Sequence, residues 1–287
     1  MTVYEISHRT AYAYDDDVTT SYGRAYLRPR DTPGQRCRSS RITVRPGTDV
    51  LAERTDFYGN RAAYFEVRTL HRDLVVEARS VVEVDREPVD LEVLGARAWD
   101  RLAPPAGWAD LDFVLPSPLV PITDRLRRYA GGVFTPGRPL RDAVPALVHR
   151  IHADFRYTPG STGVTSTLDD LMDRGEGVCQ DFAHLAVACL RSAGLPARYV
   201  SGYLETTPPA GRPKLRGVDA THAWASVLLP EVGWVDLDPT NDRLIDSRYV
   251  VTAWGRDYAD VAPLKGIIFS TSMSSTLTVA VDVEPLD

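Results

Sequence analysis

A proline-rich stretch at residues 103–121 separates two parts of the chain that differ in hydrophobic periodicity. Proline removes a backbone donor and interrupts both helices and strands. Before the stretch, short apolar runs alternate with turn residues; after it, apolar residues recur at helical spacing. A chain of 287 residues is long enough for two cores. The sequence therefore predicts two domains, with 103–121 as the linker. The five prolines of this stretch are Pro104, Pro105, Pro116, Pro118 and Pro121.

The first part, residues 1–115, is patterned as a β domain. Short strands separated by Gly, Pro, Asn and Asp turns are typical of an antiparallel sandwich or barrel. Chemistry-bearing residues are scattered here, so we expect no catalytic groups in this domain. The predicted strands cover residues 3–10, 22–27, 41–44, 61–68 and 74–84.

The second part, residues 116–265, is predicted to be an α+β domain, because helices come first and strands follow. The tail, 266–287, returns to strand-like sequence and is expected to pack on either domain. The predicted helices are a short segment capped by Thr123, residues 140–155, a short segment opened by a Thr167–Asp170 capping box and ended near Gly175, and Cys179–Ala193 ended by Gly194. The predicted strands are 198–204, 223–229 and 234–237.

Composition narrows the classes of partner and compartment. A net charge of -6 disfavours nucleic acid and anionic membranes as main partners, since both bind basic surfaces. No secretion signal or membrane-length apolar run is evident, so we expect a cytoplasmic protein. The three cysteines, Cys37, Cys179 and Cys189, are odd in number and lack C-x-x-C spacing. Free thiols are therefore expected, without a disulfide framework or a structural zinc site.

Cys179 is the candidate nucleophile. Two glycines precede it, at 175 and 177, and the predicted helix begins at or just after it. A thiol at a helix N-terminus lies at the positive end of the helix dipole, which favours thiolate. The alternative is a small core residue, because Cys179 lies three positions before Phe182 on the apolar stripe. Cys189, in the middle of the same helix, is expected to be core.

A nucleophilic cysteine needs a base within hydrogen-bond reach, and the chain has six histidines. His184 is five residues along the helix, about 140° round from Cys179, and points away. His222 opens a predicted strand and can face the helix start, although a structural role there stays open. The other four histidines lie in the β domain or on an earlier helix without a partner motif: His8, His71, His149 and His152.

The base needs a carboxylate that fixes its tautomer. Asp236 and Asp238 follow on the next predicted strand. Alternation places both on the same face, so periodicity does not decide between them. Pro239 biases the backbone of Asp238 to an extended conformation, and either aspartate could instead be a surface charge.

These segments resemble the transglutaminase core in its bacterial form. The β domain resembles the N-terminal domain of the same bacterial family, so the resemblance is nearly full length. The residues that carry it are Gly177–His184, Thr221–Trp224, Trp234 with Asp238–Thr240, Gly194–Tyr203 and Gly255–Val261 in the core, and His8–Tyr14, Leu27–Arg30 and Tyr58–Asn60 before it.

The resemblance implies a papain-like core, with a cysteine-bearing helix packed on an antiparallel sheet that carries the histidine and the aspartate. By residue correspondence the catalytic triad falls on Cys179, His222 and Asp238. The family contains transferases, peptidases and amidases that share acyl transfer through a thioester, and also inactive members. No cofactor is expected. Animal transglutaminases use calcium, but this sequence has no EF-hand-like aspartate spacing.

The expected function is cysteine-dependent acyl transfer on a glutamine side chain or a peptide bond of a peptide or protein. Water or an amine would resolve the thioester. A non-catalytic binding module on the same fold is the alternative. A zinc site from Cys179, His184 and Cys189 is disfavoured, because these residues occupy different helix faces. Cys179 N–H is the expected first oxyanion donor. Candidates for the second donor or for substrate binding are Tyr157, Gln180, Thr162 with its loop 159–162, and Trp224.

Overall fold

A computed structural model describes residues 1–102, 107–163, 166–206, 220–271 and 274–286. The strands are β1 (Thr2–Ala25), β2 (Gln35–Arg45), β3 (Val50–Thr55), β4 (Arg61–Val67), β5 (His71–Val84), β6 (Arg156–Tyr157), β7 (Glu176–Gly177), β8 (Ala197–Leu204), β9 (Ala220–Leu229), β10 (Gly233–Asp238), β11 (Arg243–Leu244), β12 (Tyr249–Gly255), β13 (Leu264–Ser270) and β14 (Ser275–Leu286). The helices are α1 (Trp108–Leu111), α2 (Asp124–Gly131), α3 (Leu140–Asp154), α4 (Leu168–Arg174), α5 (Cys179–Ser192) and α6 (Tyr258–Val261), with 3₁₀ turns at Leu91–Leu94 and Trp99–Arg101.

The N-terminal sheet is built around β1, and all its pairings are antiparallel. β5 and then β4 pair along one side of β1; β14 and then β13 pair along the other. β2 and β3 form the outer row beside β5 and β4. The register of β1 against β5 is irregular between Ala13 and Val18, near the point where each flanking row is interrupted. The sheet curls there into a half-barrel, which is the β architecture expected from the sequence.

Two details of the β domain differ from the sequence predictions. Residues 3–10 and 22–27 were expected to be separate strands, but β1 runs unbroken from Thr2 to Ala25. The acidic run Asp15–Asp17 lies within β1, between a segment paired with β14 and β5 and a segment paired with β13 and β4. The strand β3 was not expected, since its sequence has no clear alternation; it pairs with β4 over its full length.

The second sheet has the order β11-β10-β9-β8-β12 and is fully antiparallel. The helix α5 packs on β9 and β8, and α2 and α3 pack on α5. The apolar stripe of α5 is fully buried in this core, including Leu185, Ala186 and Leu190. The α+β fold class is therefore confirmed, with a cysteine-bearing helix on an antiparallel sheet.

The predicted helix ends are close to the observed ones. Thr123 caps α2, and the Thr167–Asp170 capping box opens α4. Gly175 and Gly194 follow α4 and α5 with φ of +67° and +76°, the left-handed conformation that glycine adopts without a Cβ clash.

The second half of the proline-rich stretch lies against the α+β domain. The carbonyl of Phe113 accepts a hydrogen bond from Ala197 N, and that of Leu115 accepts one from Arg191. Leu119 N donates to the carboxylate of Asp257. Residues 103–106 lie outside the described residues, and the domain division near residue 115 remains a prediction.

The C-terminal strands complete the N-terminal sheet, because β13 and β14 both pair with β1. The two sheets also share apolar contacts. The apolar cluster that joins the sheets consists of Tyr4, Ile6, Val82, Val84, Val281 and Val283 from the first sheet, with Tyr203 and Val250 from the second.

Among the described residues no helix is long and apolar enough to cross a membrane.

Candidate active site

Cys179 is the first residue of α5 and is half-buried. The short parallel pair β6–β7 brings Tyr157 beside Gly177, two residues before Cys179. The carboxylate of Asp181 accepts a 2.8 Å hydrogen bond from Val178 N, which closes the first turn of the helix. A Cβ on Gly177 would lie 2.7 Å from Leu171 and 2.9 Å from Asp181. Glycine at this position therefore lets the chain pass close to the cap immediately before the nucleophile.

His222 and Asp238 are brought together by the antiparallel pairing of β9 with β10. Nε2 of His222 lies 2.7 Å from Oδ2 of Asp238. The imidazole is buried and the carboxylate is fully buried. The structure thus gives His222 a carboxylate partner of the kind that fixes a catalytic imidazole in one tautomer.

Cys179 is the second group that acts on His222, since its side chain contributes with Asp238 to raising the pKa of the imidazole. Because Nε2 faces Asp238, Nδ1 is the ring nitrogen that remains for the sulfur. Burial by itself would lower the pKa of His222. The hydrogen bonds and charges of Asp238 and Cys179 outweigh burial and raise this pKa to about 10. The environment therefore favours the imidazolium form of His222.

Asp238 is held by more donors than His222 alone. The phenol of Tyr249 and the side-chain amide of Asn241 each donate to Oδ2 at 2.6 Å, and Thr240 N donates to Oδ1 at 2.9 Å. Burial by itself would raise the pKa of Asp238, but its hydrogen bonds and the charge of His222 lower it to about 2. Asp238 is therefore a charged, fixed acceptor.

Tyr249 and Asn241 were missed in the sequence analysis. Asn241 lies three residues after Asp238, in the turn that follows β10. Short polar side chains in turns commonly form hydrogen bonds with groups a few residues away. That spacing was a signal that could have been used. Tyr249 opens β12, on the far side of the sheet order, and no local pattern links it to Asp238.

Asp236, the alternative orienting residue, does not contact His222. It lies opposite Ser226 in the β9–β10 register. Burial lowers the pKa of Arg86 and that of Arg198, and the negative charge of Asp236 opposes this lowering in both. Of the two aspartates on β10, it is Asp238 that the structure places beside the histidine.

Three of the second-donor candidates lie near the start of α5. Tyr157 is half exposed and pairs with Gly177, two residues before Cys179, through the short strands β6 and β7. The hydroxyl of Thr162 donates to Asp181 at 2.6 Å. It therefore ties loop 159–162 to the helix cap. Gln180 is half-buried in the first turn of α5.

Trp224 does not present a surface to substrate. Its ring is fully buried and packs edge-on against Tyr249, with ring centroids 5.5 Å apart. Its centroid is 6.1 Å from that of His222. The expectation that Trp224 contacts substrate is therefore corrected: it packs beside the imidazole. Gly202, opposite His222 on β8, makes room for this ring, since a Cβ there would lie 2.5 Å from it.

The other thiol and imidazole on α5 are structural. Cys189 is fully buried, and burial raises its pKa to about 12. His184 is buried and accepts a 3.1 Å hydrogen bond from Tyr258 N through Nε2. Burial lowers the pKa of His184 to about 4, so it stays neutral.

Over the described ranges, no group of three or more His, Cys, Asp or Glu side chains could hold a metal ion.

Comparisons with known proteins identify the family of this chain. The bacterial transglutaminase-like N-terminal region matches residues 4–83, and the transglutaminase-like superfamily matches residues 127–239, which include Cys179, His222 and Asp238. An uncharacterized protein of Mycobacterium tuberculosis is 45% identical over 292 residues, covering 99% of this chain and 93% of that protein. One from Mycobacterium leprae is 36% identical, covering 98% of each.

A protein-glutamine gamma-glutamyltransferase of Pseudomonas aeruginosa is 40% identical over 130 residues, which are 42% of this chain and 19% of that protein. A crystal structure of a candidate cysteine protease from Cytophaga hutchinsonii shares the fold, with a TM-score of 0.81 at 23% identity, covering 100% of this chain and 91% of that one. From these matches, the chain belongs to the transglutaminase-like superfamily and carries the bacterial N-terminal region before its core.

Proposed function

We propose that this protein is a cysteine-dependent enzyme that transfers the acyl group of an amide through a thioester on Cys179. The observation that carries the proposal is the contact between His222 and Asp238 on the sheet against which the Cys179 helix packs. One ring nitrogen of His222 lies 2.7 Å from Asp238, and Cys179, the first residue of α5, contributes with Asp238 to raising the pKa of the imidazole. Nucleophile, base and orienting carboxylate in this order are the requirement for acyl transfer by a cysteine.

In the first half-reaction His222 carries the proton of the Cys179 thiol. The thiolate attacks the amide carbon and forms a tetrahedral oxyanion. Collapse of the oxyanion breaks the C–N bond, and His222 gives its proton to the leaving amine. The product is a thioester between the acyl group and Cys179, with neutral His222 ready to accept a proton.

In the second half-reaction His222 takes a proton from water or from an incoming amine. The activated nucleophile attacks the thioester carbon, and the Cys179 thiolate leaves. Water yields a carboxylic acid, as in a peptidase or amidase; an amine yields a new amide, as in a transglutaminase. The likeness of the core to part of a protein-glutamine gamma-glutamyltransferase supports a glutamine side chain as one acyl donor.

The oxyanion needs donors placed where its charge develops. Cys179 N–H belongs to the first turn of α5, whose amides have no acceptor one turn earlier in the helix. Among the candidates for a second donor, Tyr157 has the best support, because it pairs with Gly177, two residues before Cys179, and is half exposed. The hydroxyl of Thr162 is engaged by Asp181, and Trp224 is fully buried.

A non-catalytic binding module is the alternative function. Such a role would leave the network around Asp238 without a purpose, because a fully buried carboxylate is costly unless it is paired. Here Asp238 accepts from Tyr249 and Asn241 as well as contacting His222. Maintaining this charged network beside a thiol favours the enzyme.

The experiment that tests the proposal is capture of the acyl-enzyme. The protein is mixed with a library of peptides that contain glutamine, quenched in acid and examined by mass spectrometry. A covalent acyl adduct on the peptide that contains Cys179, absent from Cys179→Ala, is expected. Release by water alone, or transfer to an added primary amine, distinguishes hydrolysis from transamidation. Absence of any adduct, together with tight non-covalent binding of a peptide, would favour the binding module.

A further inference from the structure

The strand β13, Leu264–Ser270, forms an unusual edge of the N-terminal sheet. It pairs with β1 on one side, and no described strand pairs with its other side. Edge strands of soluble proteins are normally protected by charge, proline or a covering element, since their free backbone groups pair with other chains. From Leu264 to Thr271 the only charged residue is Lys265.

The side chains of β13 are apolar and exposed at consecutive positions, so both faces of the strand are open. The exposed fractions are 67% for Ile267, 38% for Ile268 and 56% for Phe269. Tyr22, on the neighbouring β1, is 45% exposed and extends the patch, its ring edge-on to Phe269 with centroids 6.1 Å apart. Large exposed side chains clustered in this way mark an interaction surface.

The opposite edge of the same sheet, formed by β2 and β3, carries more charge. The strand β2 has four arginines in its eleven residues, and β3 has Glu53 and Arg54 in its six. Charged residues of this kind are the usual protection of an edge strand. Val50 and Leu51 of β3 are exposed as well, so the two edges differ in charge and not in the presence of exposed apolar side chains.

We propose that β13 is the contact through which two copies of this chain associate, pairing antiparallel about a two-fold axis centred on Ile268. Such an axis is perpendicular to the sheet, so each face of one copy continues into the same face of the other. Ile268 then lies opposite Ile268 of the second copy, and Ile267 of each copy lies opposite Phe269 of the other.

The sequence of β13 suits this self-pairing. Aromatic and β-branched side chains directly opposite each other on antiparallel strands stabilise the pair, whereas like charges opposite each other destabilise it. In this register Lys265 meets Thr271, so no like charges face each other. A two-fold pair also satisfies the free backbone groups of both copies at once, as an isologous interface requires.

The proposal is tested by sedimentation velocity at tens of micromolar protein, with two variants that introduce charge at Ile267 and Phe269. Ile267→Lys with Phe269→Lys places lysines opposite each other, and Ile267→Glu with Phe269→Glu does the same with glutamates. Each double variant is expected to be monomeric, while the wild type is a dimer. An equimolar mixture is expected to form a heterodimer, because every lysine then meets a glutamate.

The matched control is the double variant Phe57→Lys with Leu70→Lys. Both residues are exposed and apolar and lie in loops away from β13, so this variant is expected to remain dimeric. Circular dichroism checks that each variant folds. Ile268→Cys gives a second measurement that keeps the β13 surface apolar: oxidation should double the mass on a non-reducing gel. A monomeric wild type would overturn the proposal and leave this edge to a different protein. Dimeric charge variants, or no heterodimer on mixing, would also overturn it.

Discussion

The Oδ2 atom of Asp238 lies 2.7 Å from Nε2 of His222 and accepts a 2.6 Å hydrogen bond from Tyr249 at the same time. The carboxylate of Asp238, on β10, is therefore held from two other strands, β9 and β12, and cannot turn away from the imidazole without breaking a buried bond. Buried charge networks of this kind keep one geometry because each lost partner leaves an unsatisfied charge.

Asp238→Asn is expected to damage the enzyme far more than Asp236→Asn. Asparagine keeps the shape of the side chain but removes the charge that stabilises the His222 imidazolium. In serine proteases the matching change costs about 10⁴ in rate, and the loss would be smaller here if Cys179 and His222 form an ion pair before substrate binds. The measurement is kcat/KM for both variants, with folding checked by circular dichroism. A folded Asp236→Asn that is the weaker enzyme would reassign the orienting residue.

Tyr249→Phe is expected to lower kcat/KM about tenfold without unfolding the protein. The change removes one hydrogen bond to a charged group, worth about 1.5–3 kcal/mol, and leaves the ring in place against Trp224. Tyr129→Phe is the matched control, since the Tyr129 phenol bonds the carboxylate of Asp154 on α3, outside the candidate active site. Equal activity of the two variants would show that Tyr249 does not position Asp238.

The stability that His222 contributes is expected to fall as the pH rises. Folding raises the pKa of His222 to about 10, whereas an unfolded histidine has a pKa of about 6.5. The contribution is complete below the unfolded pKa and is lost as the pH approaches the folded one. Urea unfolding of wild type and His222→Gln at several pH values measures it. The difference in unfolding free energy should shrink from pH 6 to pH 10; a difference that grows would contradict the raised pKa.

Local sequence signals predicted the helical framework of the candidate site well. The caps at Thr123 and Thr167, the glycine stops after α4 and α5, and the start of α5 at Cys179 all depend on residues within a few positions of each other. Such short-range chemistry is readable in one sequence, because the residues that satisfy each helix end are close along the chain.

Structural features that depend on contacts between residues far apart in the sequence could not be predicted from local patterns. The unbroken course of β1 through Asp15–Asp17 depends on strands β5 and β14, which pair with it from far along the chain. The bond from Tyr249 to Asp238 and the full burial of Trp224 likewise depend on how β12 and β9 meet in the sheet. Tertiary pairing overrides local pattern in each case.

The most direct test of the central claim is the rate at which iodoacetamide labels each cysteine near pH 6, followed by peptide mapping. Cys179 is expected to react first in the wild type, because the raised pKa of His222 keeps a cationic imidazole as its neighbour, and a neighbouring cation makes a cysteine more reactive. Cys189 is fully buried, and burial raises the pKa of Cys37 as well. Labelling of Cys179 should slow markedly in His222→Gln. Faster labelling of Cys37 or Cys189, or an unchanged rate at Cys179 in the variant, would contradict the account.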